Sequence, residues 1–473
     1  MRSDSSSATS DALAPARVDS PPAPLPPAVW AIVAGFAVAY ALYALFRHWR
    51  FHTSGYDLGI FDQAIWHLSR FETPASSIAG HASIFSDHFH PILLLLAPLY
   101  WAAPRPEALL IAQSLLLAVS AIPVFLYSRG RIGSSAAIGV TVSYGLFWPM
   151  QKTAGFDFHE VAFAPGLIAW AILAMETRRW RWFWVAVALL VCVKEDLIPL
   201  IGMFGLRLMT LGEIRQGVAA VLISIAAFAA VMTVAMPLLG GEDAYPYWES
   251  HLRAVGGGPV AILAQIVTPA EKLRTIAMWL LPFLLLPLRS PLVLLAAPIA
   301  LSRLLSASSN HWGTAFHYSA PLAPILAMAA ADGLGRLAAH LTPRGASMLL
   351  RAAPVLMCLL CAFLPGRLPL WRVFAPAHYR ASPADRVGYE ALATIPSGAS
   401  VAAQHVVVPH LSRRHAIYGL DSNTPDTDYV IVTEHRTAWP NRDFAHIREL
   451  LRQRTDRGYR EIFAKEGWVV LAR

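Results

Sequence analysis

Two carboxylates lie in the segment YDLGIFDQAIW, which begins at Tyr56, directly after the first long apolar run. If this segment is helical, Asp57 and Asp62 are five residues apart and need not face each other. If a turn at Gly59 breaks the helix, Asp57 can point into a cavity while Asp62 caps the next helix. Because an acid beside a membrane interior is costly, we favour a functional role for Asp57; for Asp62, both a cap and a functional role stay open. Tyr56 and Gln63 flank the acids and are candidates for substrate contact.

A second polar segment, SDHFHP, follows within the same long loop. Its residues Asp87, His88 and His90 are close enough in sequence to share a proton or to bind a divalent metal ion. The alternative is a hydrated loop ahead of a helix, with Asp87 as the helix cap. The three residues are therefore candidates for substrate or metal binding.

Three further clusters stand at the ends of apolar runs. In FDFHE an acid can simply complement a helix N-terminus, but the histidine is less easily explained in this way. In KED three adjacent ionisable residues indicate a functional or tightly paired group, and a solvated turn is the alternative. NHWGTAFHY places two histidines near the entrance of a span, where aromatic residues are also typical of interfacial belts. The candidate substrate-binding residues of these clusters are Asp157, His159, Glu160, Lys194, Glu195, Asp196, His311 and His317.

The composition of the chain shows what kind of protein carries these clusters. The chain has 473 residues, of which 56% are hydrophobic and 14% charged, and its mean hydropathy is +0.47. Soluble domains carry about 25% charged residues, so the composition indicates an integral membrane protein. The net charge of +8 does not indicate nucleic-acid binding, because many arginines lie in short loops between apolar runs, where they set orientation. The three cysteines lie inside apolar segments, which excludes an external disulfide framework.

The apolar runs predict a mainly α fold, a polytopic transmembrane helical bundle of about eleven spans over residues 28–365. Residues 1–27, rich in Ser, Ala and Pro, are expected to form a disordered cytoplasmic tail, followed by an uncleaved first span. With the N-terminus in the cytoplasm, most basic loops lie inside. The acid and histidine clusters then lie outside, in a long first outer loop, residues 47–106, and in shorter loops.

Two features of the sequence bear on this orientation. Arg47 and Arg50 fall outside, against the positive-inside rule. Pro91–Ala103 is short for a span and can lie along the interface or re-enter, so it is left uncounted. Counting it as a full span would reverse the orientation of everything that follows.

Residues 374–473 have the charge density of a soluble domain and alternate short strands with helices. They predict a small α/β domain, which an odd number of spans places outside the cytoplasm. The expected elements are strands over residues 399–404, 415–420 and 428–434, an amphipathic helix over 443–455 and a closing hairpin over 461–473.

At YDLGIFDQAIW, SDHFHP, FDFHE and KED the chain resembles a widespread bacterial family of polytopic membrane proteins of unknown function. Its hallmark is an Asp-Leu-Gly-Ile-Phe-Asp-Gln segment after the first span. The resemblance runs from about Tyr56 to the C-terminus and includes PHLSRRHAIYG, Pro409–Gly419. That family is similar in layout to the GT-C superfamily of glycosyltransferases, which take sugars from polyprenyl-phosphate carriers. The resemblance implies the catalytic-acid position for Asp57, with Asp62 as a rival. The superfamily usually has two adjacent acids in this loop, and this chain does not. The departure leaves open whether the activity depends on a metal and which residue acts as the base.

These implications predict a glycosyltransferase that moves a sugar from a polyprenyl-phosphate carrier to an envelope glycan, lipid or protein. The reaction would take place at the outer face of the bacterial cytoplasmic membrane. Asp57 would take the acceptor's proton, and His88 or His90 would orient the acceptor or a divalent metal. Lys194 or Arg70 would neutralise the carrier's phosphate. Membrane lipid is the other expected partner.

Two other classes of function stay open. Acids, histidines and lysines at spans also form proton relays, as in a transporter or flippase of a lipid-linked or polar solute. Clustering at one face and the lack of an evident inverted repeat favour the enzyme. The third class is a non-catalytic lipid- or cell-wall-binding protein whose C-terminal domain does the recognising. Proton-coupled uptake into vesicles would identify the second class, and binding without turnover the third.

Overall fold

The computed structural model describes residues 24–240 and 258–473. Most of the expected N-terminal tail, up to residue 23, and residues 242–257 of a predicted outer loop lie outside the described residues. Where described, the chain is mostly helical, and a small sheet follows the last long helix. The described α-helices are Pro27–Trp49, Ile60–Ser69, Leu99–Ala102, Pro106–Val119, Ala121–Leu146, Trp148–Ala154, Ala164–Glu176, Trp180–Val191, Ile198–Thr210, Ile214–Ala230, Met236–Leu238, Gly258–Val267, Glu271–Leu280, Ala297–Leu305, Ser309–Trp312, Leu322–Ala338, Pro343–Phe363, Pro369–Val373, Pro383–Ala393 and Phe444–Asp456.

Within the described ranges, four helical stretches are long and apolar enough to cross a membrane: Pro27–Trp49, Pro106–Leu146, Ile214–Leu238 and Pro343–Phe363. The second has 41 residues, about twice the length that crosses a hydrocarbon core. Gly133 interrupts it with a positive φ of 76°, a conformation that glycine adopts without steric cost. The break follows Arg129 and Arg131, two of the arginines that lie between apolar runs. Other apolar helices are shorter.

Pro91–Ala102 belongs to these shorter apolar segments. It forms a 3₁₀-helix over Pro91–Leu96 and one α-helical turn over Leu99–Ala102. Since twelve residues of helix extend about 18–24 Å, this segment is too short to cross a core of about 30 Å as a helix. One side of it is buried and the other exposed, with Leu94 and Trp101 on the exposed side. This geometry agrees with a segment that does not cross the membrane.

The helix Leu322–Ala338 forms the centre of the bundle. Every residue from Leu322 to Leu334 is buried, as expected for a helix that is apolar around its whole circumference. Its one acid, Asp332, accepts hydrogen bonds from Arg336 and Ser290, at 2.7 Å each. The bundle therefore provides a rigid base from which the polar loops project.

The C-terminal sheet has five strands: β1 Val401–Ala403, β2 Ile417–Gly419, β3 Tyr429–Thr433, β4 Arg460–Lys465 and β5 Trp468–Ala472. Their order is β2-β1-β3-β5-β4, with β1 parallel to β2 and β3 and with β5 antiparallel to β3 and β4. The three predicted strands, the helix and the closing hairpin are confirmed. The capped helix Pro383–Ala393, which the sequence reading did not identify, packs against β5.

The first polar loop packs directly against the C-terminal segment around β1 and β2. The backbone N–H of Gly55 donates to the carbonyl of His405 at 2.9 Å. The Gln63 amide donates to the carbonyl of Arg414 at 2.8 Å, and the Ser77 hydroxyl donates to the carbonyl of Ile417 at 2.7 Å. The loop and the sheet therefore lie on the same side of the helical bundle. The expected fold class, a polytopic helical bundle with a small C-terminal α/β domain, is confirmed.

Candidate functional site

The polar clusters that are separate in sequence meet around one cavity of about 180 Å³. This volume is below the roughly 300–1,000 Å³ of sites for drug-sized ligands. It has room for a small polar group. The predicted residues that line the cavity are Tyr56, Asp57, Asp87, His88, His90, His159, Glu160, Lys194 and His317.

Asp57 reaches the cavity from a short π-helical turn, Gly55–Gly59, at the start of the next helix. Glycine suits both ends of this turn, because a Cβ at Gly55 would lie only 2.8 Å from Val408 and one at Gly59 would make a tight 3.0 Å contact with it. The two glycines let the C-terminal segment approach the turn. This approach fixes the turn that carries Asp57.

A carboxylate and two imidazoles form the centre of the cavity. Asp57 Oδ1 lies 3.2 Å from His159 Nε2, and the ring of His159 lies 3.8 Å from the ring of His317. Burial opposes protonation of His159, but the hydrogen bond to Asp57 and the charges of Asp57 and Glu160 together outweigh it and raise the pKa of His159 above its usual value. Burial lowers the pKa of His317 well below its usual value. His159 is therefore the imidazole that holds a proton against Asp57.

Lys194 forms a buried ion pair with Glu160, with Nζ 3.1 Å from Oε1. Burial would raise the pKa of Glu160, but the Lys194 ammonium and the neighbouring imidazoles hold it well below its usual value. Burial alone would lower the pKa of Lys194, yet Glu160 and nearby acids raise it. The pair is thus fully charged at neutral pH, and it places a permanent cation at the cavity wall.

Two cavity residues have the chemistry of ligands for a divalent metal. His90 is buried, and neither of its ring nitrogens has a hydrogen-bond partner among the described residues. Its Nδ1 lies 4.0 Å from Glu160 Oε2, and burial lowers its pKa to about 4. A neutral imidazole beside a carboxylate is an ordinary zinc-ligand combination. His90 and Glu160 are therefore the candidate metal ligands of this cavity.

The two other residues of KED hold neighbouring elements in place. Glu195 Oε1 lies 2.7 Å from His88 Nδ1, and its second oxygen accepts the backbone N–H of Phe89 at 2.9 Å. Asp196 accepts from Arg303 Nη2 at 2.8 Å. The tightly paired interpretation of this segment therefore describes all three residues, and Lys194, paired with Glu160, also faces the cavity.

Asp157 lies behind the cavity wall rather than in it. Its carboxylate accepts from Arg47 Nη1 at 3.3 Å and from the backbone N–H of Ser54. Arg47 also donates to the carbonyls of Gly155 and His52, at 2.7 and 2.6 Å. The ion pair thus joins the end of the first helix, the turn before Asp57 and the loop that carries His159.

Asp62 and Gln63 are not among the residues that line the cavity. Asp62 is fully buried, and its carboxylate accepts from the Tyr100 hydroxyl and, at 2.6 Å, from the Ser412 hydroxyl. It does not cap its helix: the N-cap is Gly59, without a side-chain cap, so the capping interpretation was wrong. Burial raises the pKa of Asp62 to about 6 against the effect of its two hydroxyl donors. Its contacts connect the first loop to the C-terminal segment.

An aromatic group borders the cavity at Tyr56. The Tyr56 ring stacks on His405 at 3.8 Å with an interplanar angle of 19°, and Trp439 approaches it edge-on at 5.4 Å. His311 lies further along, 4.7 Å from the ring of Tyr318. The C-terminal domain therefore contributes side chains next to the cavity.

The sequence reading missed several residues of this region. His81 and Tyr318 line the cavity, but the first lies in an unpatterned loop and the second was assigned to an interfacial belt. His405 and Trp439 were missed because their contact with Tyr56 depends on the docking of the C-terminal domain. The sequence could have identified Arg303 as a paired residue, since a lone arginine within an apolar run is costly without a partner.

Comparison with solved structures identifies relatives of the whole fold. The crystal structure of ArnT from Cupriavidus metallidurans bound to undecaprenyl phosphate matches with a TM-score of 0.58 and 14% identity. The match covers 94% of this chain and 98% of that one. The apo structure of the same protein matches with a TM-score of 0.55 and 13% identity over the same shares of the two chains. At this identity the likeness establishes a shared fold, and it confirms the expected GT-C-like layout.

No curated protein matches this chain. A family model described as "Predicted membrane protein (DUF2079)" matches residues 47–470. The match begins at the end of the first helix and covers the polar loops, the bundle and the sheet. The chain therefore belongs to the DUF2079 family of membrane proteins.

Proposed function

We propose that this protein is a membrane glycosyltransferase that moves a sugar from a polyprenyl-phosphate carrier to an envelope acceptor. The observation that carries the proposal is the Asp57 carboxylate, held 3.2 Å from His159 in a small cavity that Lys194 also lines. The fold shared with a protein solved in complex with undecaprenyl phosphate supports the carrier class. The cavity volume of about 180 Å³ suits a sugar or a phosphate head group.

In the proposed reaction the acceptor hydroxyl binds beside Asp57 and gives its proton to the carboxylate. The acceptor oxygen forms a bond to the anomeric carbon, while the bond from that carbon to the phosphate oxygen breaks and polyprenyl phosphate leaves. His159 donates to Asp57 and holds its orientation. The Lys194 ammonium stabilises the charge that develops on the departing phosphate, and Glu160 keeps Lys194 in place. A divalent ion held by His90 and Glu160 would supply further positive charge for the phosphate.

The proposed setting is the bacterial cytoplasmic membrane, with the N-terminus in the cytoplasm and the cavity at the outer face. Residues 28–365 would form the transmembrane domain, with a first outer loop at 47–106, and residues 374–473 the extracytoplasmic domain. Polyprenyl-phosphate sugars reach such a cavity from the outer leaflet. The acceptor would be an envelope glycan, lipid or protein.

A radiolabel transfer assay tests the proposal. Purified protein is offered a panel of polyprenyl-phosphate sugars with envelope acceptors, and the wild type is compared with Asp57→Asn and Asp62→Asn. Asp57→Asn removes the proton acceptor and should lower transfer at least about 100-fold, the usual contribution of a general base. Asp62→Asn is the matched control, because it changes an acid that does not line the cavity.

Full transfer by folded Asp57→Asn would contradict the proposed mechanism. Proton-coupled solute uptake into vesicles, without sugar transfer by the wild type, would favour the transporter or flippase. Glycan or lipid binding without turnover would favour the binding protein.

A further inference from the structure

A second group of metal-ligand side chains lies outside the cavity, where the first loop meets the C-terminal segment. We propose that His67, Glu72 and His415 bind one zinc ion that joins these two parts of the chain. His67 is in the last turn of the helix Ile60–Ser69, and Glu72 follows that helix. His415 lies two residues before β2, within the segment PHLSRRHAIYG that the proposed transfer reaction leaves unused.

The three donor atoms already lie close together. One ligand atom from each residue lies within 4.8 Å of the other two, and His67 Nδ1 is 2.7 Å from Glu72 Oε2. The rings of His67 and His415 are 5.1 Å apart. Tetrahedral zinc with bonds of about 2.0–2.2 Å requires donor atoms about 3.4 Å apart. His415 is exposed and Glu72 partly exposed, so small rotations of these two side chains bring the donors to that spacing.

The surroundings match those of a metal site. His67 is buried, which fixes one ligand. Arg70 Nε donates to Glu72 Oε1 at 3.0 Å, which orients the carboxylate and leaves Oε2 for the ion. The indole ring of Trp66 lies 5.1 Å from the His415 ring. Two imidazoles and one carboxylate form a known zinc-ligand set, in which water takes the fourth position.

The ion would strengthen a contact that the fold already makes. Gln63 and Ser77 of the first loop are hydrogen-bonded to backbone carbonyls of the same C-terminal segment. Because the ligands come from both sides of this contact, zinc binds only when the loop and the C-terminal domain are docked. Binding therefore favours the docked arrangement by mass action.

Zinc binding to the full chain in detergent tests the proposal, with the protein first stripped by a chelator and zinc measured by competition with a chromophoric indicator. The variants are His415→Ala and Glu72→Gln, which change side chains with exposure. Their matched controls are His340→Ala and Glu449→Gln, at exposed positions elsewhere. Glu160→Gln changes a candidate metal ligand of the cavity, so it distinguishes zinc bound there from zinc bound by His67, Glu72 and His415. We expect the His67/Glu72/His415 site to bind one equivalent of zinc, which is kept in both controls and in Glu160→Gln whether or not the cavity also binds an ion. In His415→Ala and Glu72→Gln its affinity should fall at least about 10-fold.

The midpoint of thermal unfolding gives a second readout. Zinc should raise it in the wild type and the controls but not in His415→Ala. The proposal is overturned if the wild type binds no zinc, or if His415→Ala and Glu72→Gln bind it as tightly as the wild type. Loss of the zinc in Glu160→Gln with retention in His415→Ala would also overturn it, since the ion would then lie in the cavity.

Discussion

Asp57 and Asp62 lie on one short segment, but Asp57 lines the cavity and Asp62 is buried away from it. Asp57 contacts His159 at the cavity, whereas Asp62 is fully buried between hydroxyl donors, Tyr100 and Ser412. The change from a π-helical turn to an α-helix at Ile60 separates them. One carboxylate is therefore available to a substrate, and the other contributes to the contact between the loop and the C-terminal segment.

The raised pKa of Asp62 predicts a pH dependence of stability. Burial raises its pKa from 3.8 to about 6 in the folded state, so the folded protein binds this proton more tightly than the unfolded chain. Stability should therefore fall as pH rises from about 4 to 6, by about 3 kcal/mol in total. Asp62→Asn should remove this component, because an amide keeps the bond from Tyr100 and carries no charge. Thermal unfolding midpoints between pH 4 and 7 measure the difference.

The exposed Asp456→Asn is the matched control for this series, and its pH profile should follow that of the wild type. Parallel pH profiles for the wild type and Asp62→Asn would show that Asp62 does not titrate in this window.

The Arg47–Asp157 ion pair predicts a large loss of stability when the cation is removed. Arg47→Met leaves the Asp157 carboxylate, whose side chain is 3% exposed, without its counter-charge. Removing one partner of a buried pair costs about 3–5 kcal/mol. The double variant Arg47→Met/Asp157→Asn should regain part of this loss, since no buried charge remains unpaired. Thermal or denaturant unfolding of the wild type, Arg47→Met, Asp157→Asn and the double variant gives the coupling energy.

Arg344→Met changes an exposed arginine and should lie within about 0.5 kcal/mol of the wild type. An equally small effect of Arg47→Met would contradict the assigned role of the pair.

Lys194 predicts a change in lipid affinity that is separate from turnover. Lys194→Met removes the cation at the cavity wall and should weaken binding of a polyprenyl phosphate about 10- to 100-fold, since a charge-assisted hydrogen bond contributes about 1.5–3 kcal/mol. The double variant Lys194→Met/Glu160→Gln also removes the buried Glu160 charge that Lys194→Met leaves unpaired. It should bind the polyprenyl phosphate as weakly as Lys194→Met does. Native mass spectrometry of the detergent-solubilised protein measures the affinity.

Lys465→Met, at the exposed Lys465–Glu390 pair of the C-terminal domain, is the control for charge alone. Unchanged affinity in Lys194→Met would exclude Lys194 as the phosphate ligand.

The meeting of the polar clusters was predictable because each lies where an apolar run ends. Asp57, His159 and Lys194 are far apart in sequence, but helices that cross one membrane bring such ends to a common face. The strands of the C-terminal domain were predictable from local alternation. Strand order was not, because it depends on pairings between distant segments.

The pairing of individual side chains could not be read from the sequence. Arg47 and Arg50 opposed the positive-inside rule, and the structure gives both of them acidic partners, Asp157 and Asp385. An arginine used in an ion pair is a weak guide to orientation. Asp62 has a typical capping position in sequence. In the structure its carboxylate instead accepts a hydrogen bond from the hydroxyl of Ser412, which lies 350 positions away.

The contact between Gly55 and His405 has a consequence for biosynthesis. The first polar loop emerges from the ribosome early, but its hydrogen-bonding partners are made only after the last long helix, Pro343–Phe363. During that interval the turn that carries Asp57 lacks its contacts with the C-terminal segment, because these contacts join distant parts of the chain. The cavity wall is therefore completed only near the end of translation, and an unfinished chain would lack a formed site.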